Sequence, residues 1–111
     1  MAKADSLQGS LDLLVLKILS RRPGSHGYAL MTAIEDASRD VLRAEEGSLY
    51  PALHRIEQAG WIKAEWAVTD NGRRARYYRL TRTGQKHLDE EWEKWERITA
   101  AVAKVLRFAP A

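Results

Sequence analysis

The chain of 111 residues has no cysteine. That excludes disulfides, thiolate metal sites and cysteine nucleophiles. Long hydrophobic runs are also missing. None exceeds four residues, and the run at 13–16 is cut off by Lys17, far short of the roughly 20 residues that a membrane-spanning helix needs. No cationic segment followed by an apolar stretch and a cleavage site opens the chain, so the expected location is the cytoplasm, away from any membrane. Catalytic signatures are absent too: no G-x-S-x-G, no phosphate-cradling glycine loop and no paired histidine and carboxylate. The three histidines, His26, His54 and His87, share no ligand spacing with acids. Neither an enzyme nor a metal or cofactor site is expected. Acidic residues are missing from one stretch in particular, residues 71–82, which holds five arginines.

What is present fits a single soluble domain. Hydrophobic residues make up 45% and charged residues 30%, an ordinary balance for a chain that buries one core. Net charge is +3 and the isoelectric point about 9.4. So mild an excess makes its location more informative than its sum.

The chain is organised around residues 47–61, GSLYPALHRIEQAGW. On a helical wheel Leu49, Ala52, Leu53 and Ile56 share one side, and Gly47, Pro51, His54, Arg55 and Gln58 the other. Pro51 is tolerated only near a helix start, and Gly60 suits the left-handed residue that ends one. One face wants a core and the other is free to touch something else. Before it, residues 7–21 predict a helix with a stripe of Leu7, Leu11, Leu14 and Ile18. Leu13 and Leu16 lie outside that stripe and Leu19 widens it, so the helix needs cover on more than one side. A second helix is expected from Ser25 or His26 to about Ser38, and Val41–Leu42 could form a brief extended segment.

Residues 61–68 alternate like a strand, Thr69 to Gly72 carries an Asn-Gly hairpin signal, and residues 73–80 return as its partner. Thr81 is placed to cap a final helix over 83–107. Along that helix Leu88, Trp92, Trp95, Thr99, Val102 and Leu106 recur at spacings of four and three, a heptad seam. One helix cannot bury such a seam alone. A homodimer is the economical solution, with Leu11 of the first helix also offered to the contact. The order of elements is that of a mostly α (α+β) winged helix-turn-helix DNA-binding domain, residues 1–82, followed by a C-terminal dimerisation helix, residues 83–111.

GSLYPALHRIEQAGWI, the wing RRARYYRLTRTG, the single long C-terminal helix and HGYAL at 26–30 together resemble the PadR family of bacterial transcriptional regulators, in its compact branch. The resemblance covers residues 7–107. It implies a homodimer that represses transcription, with the C-terminal helix in the dimer contact, and, for several members, a response to small aromatic or hydrophobic compounds.

The expected partner is double-stranded DNA with a palindromic operator. Ser48, Tyr50, Pro51, His54, Arg55 and Gln58 form the candidate recognition face, with Tyr50 at its boundary. Asn71, Arg73, Arg74 and Arg76 form the candidate wing contacts. Strand alternation puts Arg79 on the opposite face from Arg76, so Arg79 and Arg82 are left to pair with the acidic final helix. His87 is expected in solvent. Trp92 and Trp95 either fill the seam or hold a flat aromatic effector. A winged helix used only for protein contact is the rival reading, and the acid-free run of arginines argues against it.

Overall fold

A computed structural model describes residues 2–110, with side chains from Leu11 onward; the side chain of Leu7 lies outside the described residues. The elements run α1 (Ala2–Arg21), β1 (Ser25–His26), α2 (Gly27–Ala37), α3 (Glu46–Gln58), β2 (Ile62–Val68), β3 (Arg74–Leu80) and α4 (Arg82–Leu106). The sheet is antiparallel in the order β1-β3-β2. This is a winged helix with a long C-terminal helix. The extents of 65 × 29 × 27 Å reflect α4, which projects from the rest.

The core forms where the apolar faces of α1, α2 and α3 meet the sheet. Leu49, Ala52, Leu53 and Ile56 are all buried, the inner face expected from the wheel. They pack with Val15, Leu16 and Leu19 of α1, Leu30 and Ile34 of α2, and Ile62 and Tyr78 of the sheet. Three expectations change here. The buried residues of α1 are Leu11, Val15, Leu16 and Leu19, whereas Leu14 and Ile18 stand half-buried at the edge of the core. The buried line is thus turned from the expected stripe, because the arc of α1 that carries Val15 and Leu16 is the one that meets the rest of the core. Leu11 and Leu88 are buried within this one chain, so neither is available to a partner. Val41 and Leu42 form no strand; the Ser38 hydroxyl accepts the Leu42 N–H at 3.0 Å instead.

The strand β1 was not foreseen. Its two residues pair with Tyr77 and Tyr78 of β3. His26 then opens α2, its Nδ1 accepting the Ala29 N–H at 3.1 Å. A two-residue strand leaves no alternation to detect, and a histidine cap is outside the usual Ser, Thr, Asp and Asn set.

α3, β2 and α4 are joined at Gly60 and Trp61. Gly60 has φ +83°, the left-handed value that glycine tolerates, and the Trp61 N–H reaches back to the Ile56 carbonyl at 3.0 Å. The Thr81 hydroxyl donates to the Gly60 carbonyl at 2.7 Å and accepts the Gly84 N–H at 3.0 Å. The Thr81 N–H donates to the Trp61 carbonyl at 3.0 Å. His87 lies stacked on Trp61, centroids 3.6 Å apart, not in open solvent.

This junction leaves no room at Gly84, where a Cβ would collide with the Trp61 carbonyl oxygen. Gly84→Ala is expected to lose about 3 kcal/mol in urea unfolding. Gly47→Ala, where a Cβ meets nothing within 4 Å, is expected to gain up to about 1 kcal/mol from helix propensity. Equal stability of the two variants would refute the account of the junction.

Candidate nucleic-acid interface

α3 carries its outward residues on a face framed by two ion pairs. Pro51, His54 and Gln58 are exposed along the middle of that face, opposite the buried set. On the α1 side stand Ser48, exposed, and Arg55, half-buried. The Arg55 Nη2 donates to Asp12 Oδ1 of α1 at 2.8 Å, leaving its side chain 39% exposed. On the sheet side stand Tyr50 and Glu57. Glu57 Oε2 accepts from Arg76 Nη2 of β3 at 3.0 Å. Both pairs tie α3 to the neighbouring elements, and both occupy arginines that the sequence had offered to DNA. Arg79 sits 3.7 Å from Glu65 of β2, so its partner is the adjacent strand and not α4.

The hairpin tip is one residue longer than the Asn-Gly pair implied. Gly72 has φ +79° and Asn71 stays out of the left-handed region. A two-residue type I′ turn needs both. Here the Gly72 N–H donates to the Thr69 carbonyl at 2.9 Å, and the Thr69 N–H to the Arg73 carbonyl at 2.7 Å. The loop is therefore of the three-residue kind, a turn followed by a left-handed glycine. Asn71, Arg73 and Arg74 are all exposed on it.

Between this wing, α3 and the start of α2 runs a half-open groove of about 900 Å³. Tyr28, Tyr50 and His54 line it from the helices, and Asn71, Arg73, Arg74 and Arg76 from the hairpin. The groove thus gathers two of the six candidate recognition residues with all four wing candidates. Ser48, Pro51, Arg55 and Gln58 lie outside it. Tyr78 closes its inner end, and burial pushes its hydroxyl above the ordinary 10.0, so it remains a protonated donor at neutral pH.

Trp66 was missed. It lines the groove, is 58% exposed, and stands opposite Arg76 in the β2–β3 register. The guanidinium of Arg74 lies 4.8 Å from its ring centroid and that of Arg76 5.7 Å, within cation–π range. Strand alternation already put Trp66 on the face of Ile62, and that was the available signal. Asp12 and Glu57 were also missed, since nothing in the sequence pairs residues so far apart. Among the described residues, no three histidines, cysteines or carboxylates stand together as a metal would require. Trp92, Trp95, Val102 and Leu106 are exposed on α4, away from the groove.

Residues 15–90 match the sequence model of the transcriptional regulator PadR-like family. A transcriptional regulator of Mycobacterium tuberculosis is 38% identical over 68 residues, covering 61% of this chain and 63% of its own length. The transcriptional regulator YqjI of Escherichia coli is 32% identical over 90 residues, 81% of this chain and 41% of its own. The chain thus spans less than two thirds of either relative. Among solved structures, a transcriptional regulator from Clostridium thermocellum superposes with a TM-score of 0.80 at 29% identity, covering 90% of this chain and 96% of that one. A PadR-like transcriptional regulator from Bacillus cereus gives 0.77 at 27%, covering 95% and 99%.

The Asp12–Arg55 pair has a pH signature. Burial raises the Asp12 carboxyl above its ordinary 3.8, outweighing the lowering by Arg55 and by the more distant His87. An acid raised on folding stabilises the fold below its unfolded pKa and loses that contribution as pH rises through the folded value. The Tm of the wild type relative to Asp12→Asn is therefore expected to fall as pH is raised from 3.8 towards neutrality. Calorimetry of both proteins across that range reads the difference, and a constant offset would mean that Arg55 fully compensates the burial.

Proposed function

The chain belongs to the transcriptional regulator PadR-like family, and from that premise we propose that it is a homodimeric, sequence-specific DNA-binding repressor that acts in the cytoplasm and catalyses no reaction. The observation that carries this reading is the groove, where an exposed helix face and an arginine-bearing hairpin converge. α3 enters the major groove with Ser48, Pro51, His54 and Gln58 foremost. Tyr50 reaches phosphate from its flank, and Arg55 contributes the guanidinium N–H groups that Asp12 leaves free. Asn71, Arg73 and Arg74 meet the backbone or an adjacent minor groove, with Arg76 behind them. Residues 1–82 form the DNA-binding part.

Residues 83–111 supply the dimer contact. Trp92, Trp95, Val102 and Leu106 are 43–80% exposed on one side of α4, with Thr99 between them, and a second copy is the natural cover. Two α3 helices related by a two-fold axis then read half-sites about 10 bp apart. A second reading concerns release: Trp92 and Trp95, one turn apart and 50% and 43% exposed, hold a flat aromatic or hydrophobic effector at the seam. Among the described residues no helix is long and apolar enough to cross a membrane.

Selection of bound duplexes from a random pool is expected to enrich a palindrome, bound by a dimer in gel shifts. Arg73→Ala and Arg74→Ala should each weaken binding to the selected and to random duplexes alike and lower the salt slope by about one. Val102→Glu should convert the dimer to monomer in sedimentation equilibrium and abolish tight binding. A pool with no enriched site, or a monomeric wild type, would overturn the reading.

A further inference from the structure

Resting on the DNA-binding reading, we propose that Trp66 is an uncharged DNA contact: its indole packs against the sugar face of one backbone strand lying in the groove between α3 and the wing. Along that face of the hairpin the cross-strand pairs run Ile62 with Leu80, Ala64 with Tyr78, Trp66 with Arg76 and Val68 with Arg74. Burial fades in the same direction. Ile62 and Tyr78 are in the core, and Trp66 and Val68 are 58% and 67% exposed. Trp66 is thus the first large apolar side chain past the core on that face, and its cross-strand partner is Arg76. Tyr28 and Tyr50, 70% and 47% exposed, line the same groove, and several large exposed rings gathered in one groove and rimmed by polar groups mark an interaction site.

The surroundings identify what covers it. Arg73, Arg74 and Arg76 line the groove against one carboxylate, Glu57, and Glu57 is already neutralised by Arg76. The exposed surface is therefore an apolar ring rimmed by positive charge. A second protein surface would have to offer acids and an apolar patch in register. A DNA strand offers that alternation by its chemistry, with phosphates separated by deoxyribose C–H faces. Arg74, held over the indole at 4.8 Å, is placed to bond the phosphate next to the sugar that the ring covers. Across the groove Tyr50 and His54 hold the strand from the other side.

Trp66→Ala and Trp66→Phe are titrated with the duplex selected by the wild type over a range of salt. Trp66→Ala is expected to bind about tenfold more weakly at every salt, with the salt slope unchanged because no charge is lost. Trp66→Phe should stay within about threefold, since a flat ring remains. Acrylamide quenching supplies a second readout: the protection of tryptophan fluorescence that DNA confers on the wild type should be smaller in Trp66→Phe. Unchanged affinity of Trp66→Ala overturns the proposal. So does a slope that falls along with affinity, as in Arg74→Ala, because Trp66 would then only hold Arg74 in place. If the wild type binds no duplex at low salt, the DNA-binding reading falls and this proposal with it; if the wild type binds and Trp66→Ala binds equally, this proposal alone falls.

Discussion

The backbone at Gly60 and Trp61 is the constraint on which the remaining geometry rests. Three elements end or begin there, and each is fixed by a different bond. α3 is closed by the Trp61 N–H on the Ile56 carbonyl, and α4 is opened by Thr81, whose hydroxyl and N–H hold the Gly60 and Trp61 carbonyls. Gly84 presses its bare Cα on the same carbonyl, and His87 lies on the Trp61 ring. Backbone groups that would otherwise be orphaned at two helix ends satisfy one another instead. The result is that the direction of α4 and the pose of α3 are not independent.

The same economy governs the two flanks of α3. A helix that buries Leu49, Ala52, Leu53 and Ile56 has only part of its circumference left for a partner. Ion pairs to Asp12 and from Arg76 set the limits of that part. Such pairs are half-exposed and contribute little stability, so their value lies in orientation. They also thin the cationic supply. Of the arginines on α3 and in the hairpin, Arg73 and Arg74 keep the most open setting, Arg55 and Arg76 are each tied to a carboxylate, and Arg79 lies beside Glu65. Electrostatic attraction to a polyanion therefore concentrates at the hairpin tip. The α3 face is left to uncharged and hydrogen-bonding side chains, the kind that discriminate bases rather than merely attract phosphate.

The outline of the fold was legible in the chain because each long element announces itself locally. The apolar set of α3 and the Thr81 cap are patterns within one element, and both stand where the residues put them; α4 is a helix over the expected span, but Leu88 of its heptad turns into the core. What was not legible involves pairs of elements. Asp12 with Arg55 and Glu57 with Arg76 are separated by 43 and 19 positions. No local period connects them. The two-residue β1 is too short to have a period at all. In α1 the apolar residues nearly encircle the helix, so periodicity alone could not say which arc faces inward, and Leu11 was assigned to a partner while it belongs to the core. The candidate site was half legible for the same reason: residue types marked α3 and the hairpin, but only their packing showed that Trp66 and the helices share a groove.

α4 links these points. Its first turns are part of the domain: Gly84 and Leu88 are buried, and His87 is stacked on Trp61. Beyond them the helix leaves the core, with Trp92, Trp95, Ile98, Val102 and Leu106 at 43–80% exposure. One rigid element therefore carries both the anchor to α3 and the proposed surface for a second copy. An α-helix makes its backbone bonds within the element and so moves largely as one body. In the proposed dimer, a change in how two α4 seams pack would reach Trp61 as a tilt. It would alter the spacing of the two α3 helices without altering either α3 itself. Sites separated by one turn of DNA tolerate little error in that spacing. In the proposed dimer, repacking at the seam would then weaken binding while both groove and wing remain intact. A ligand at Trp92 and Trp95 would act on DNA through geometry and never through contact.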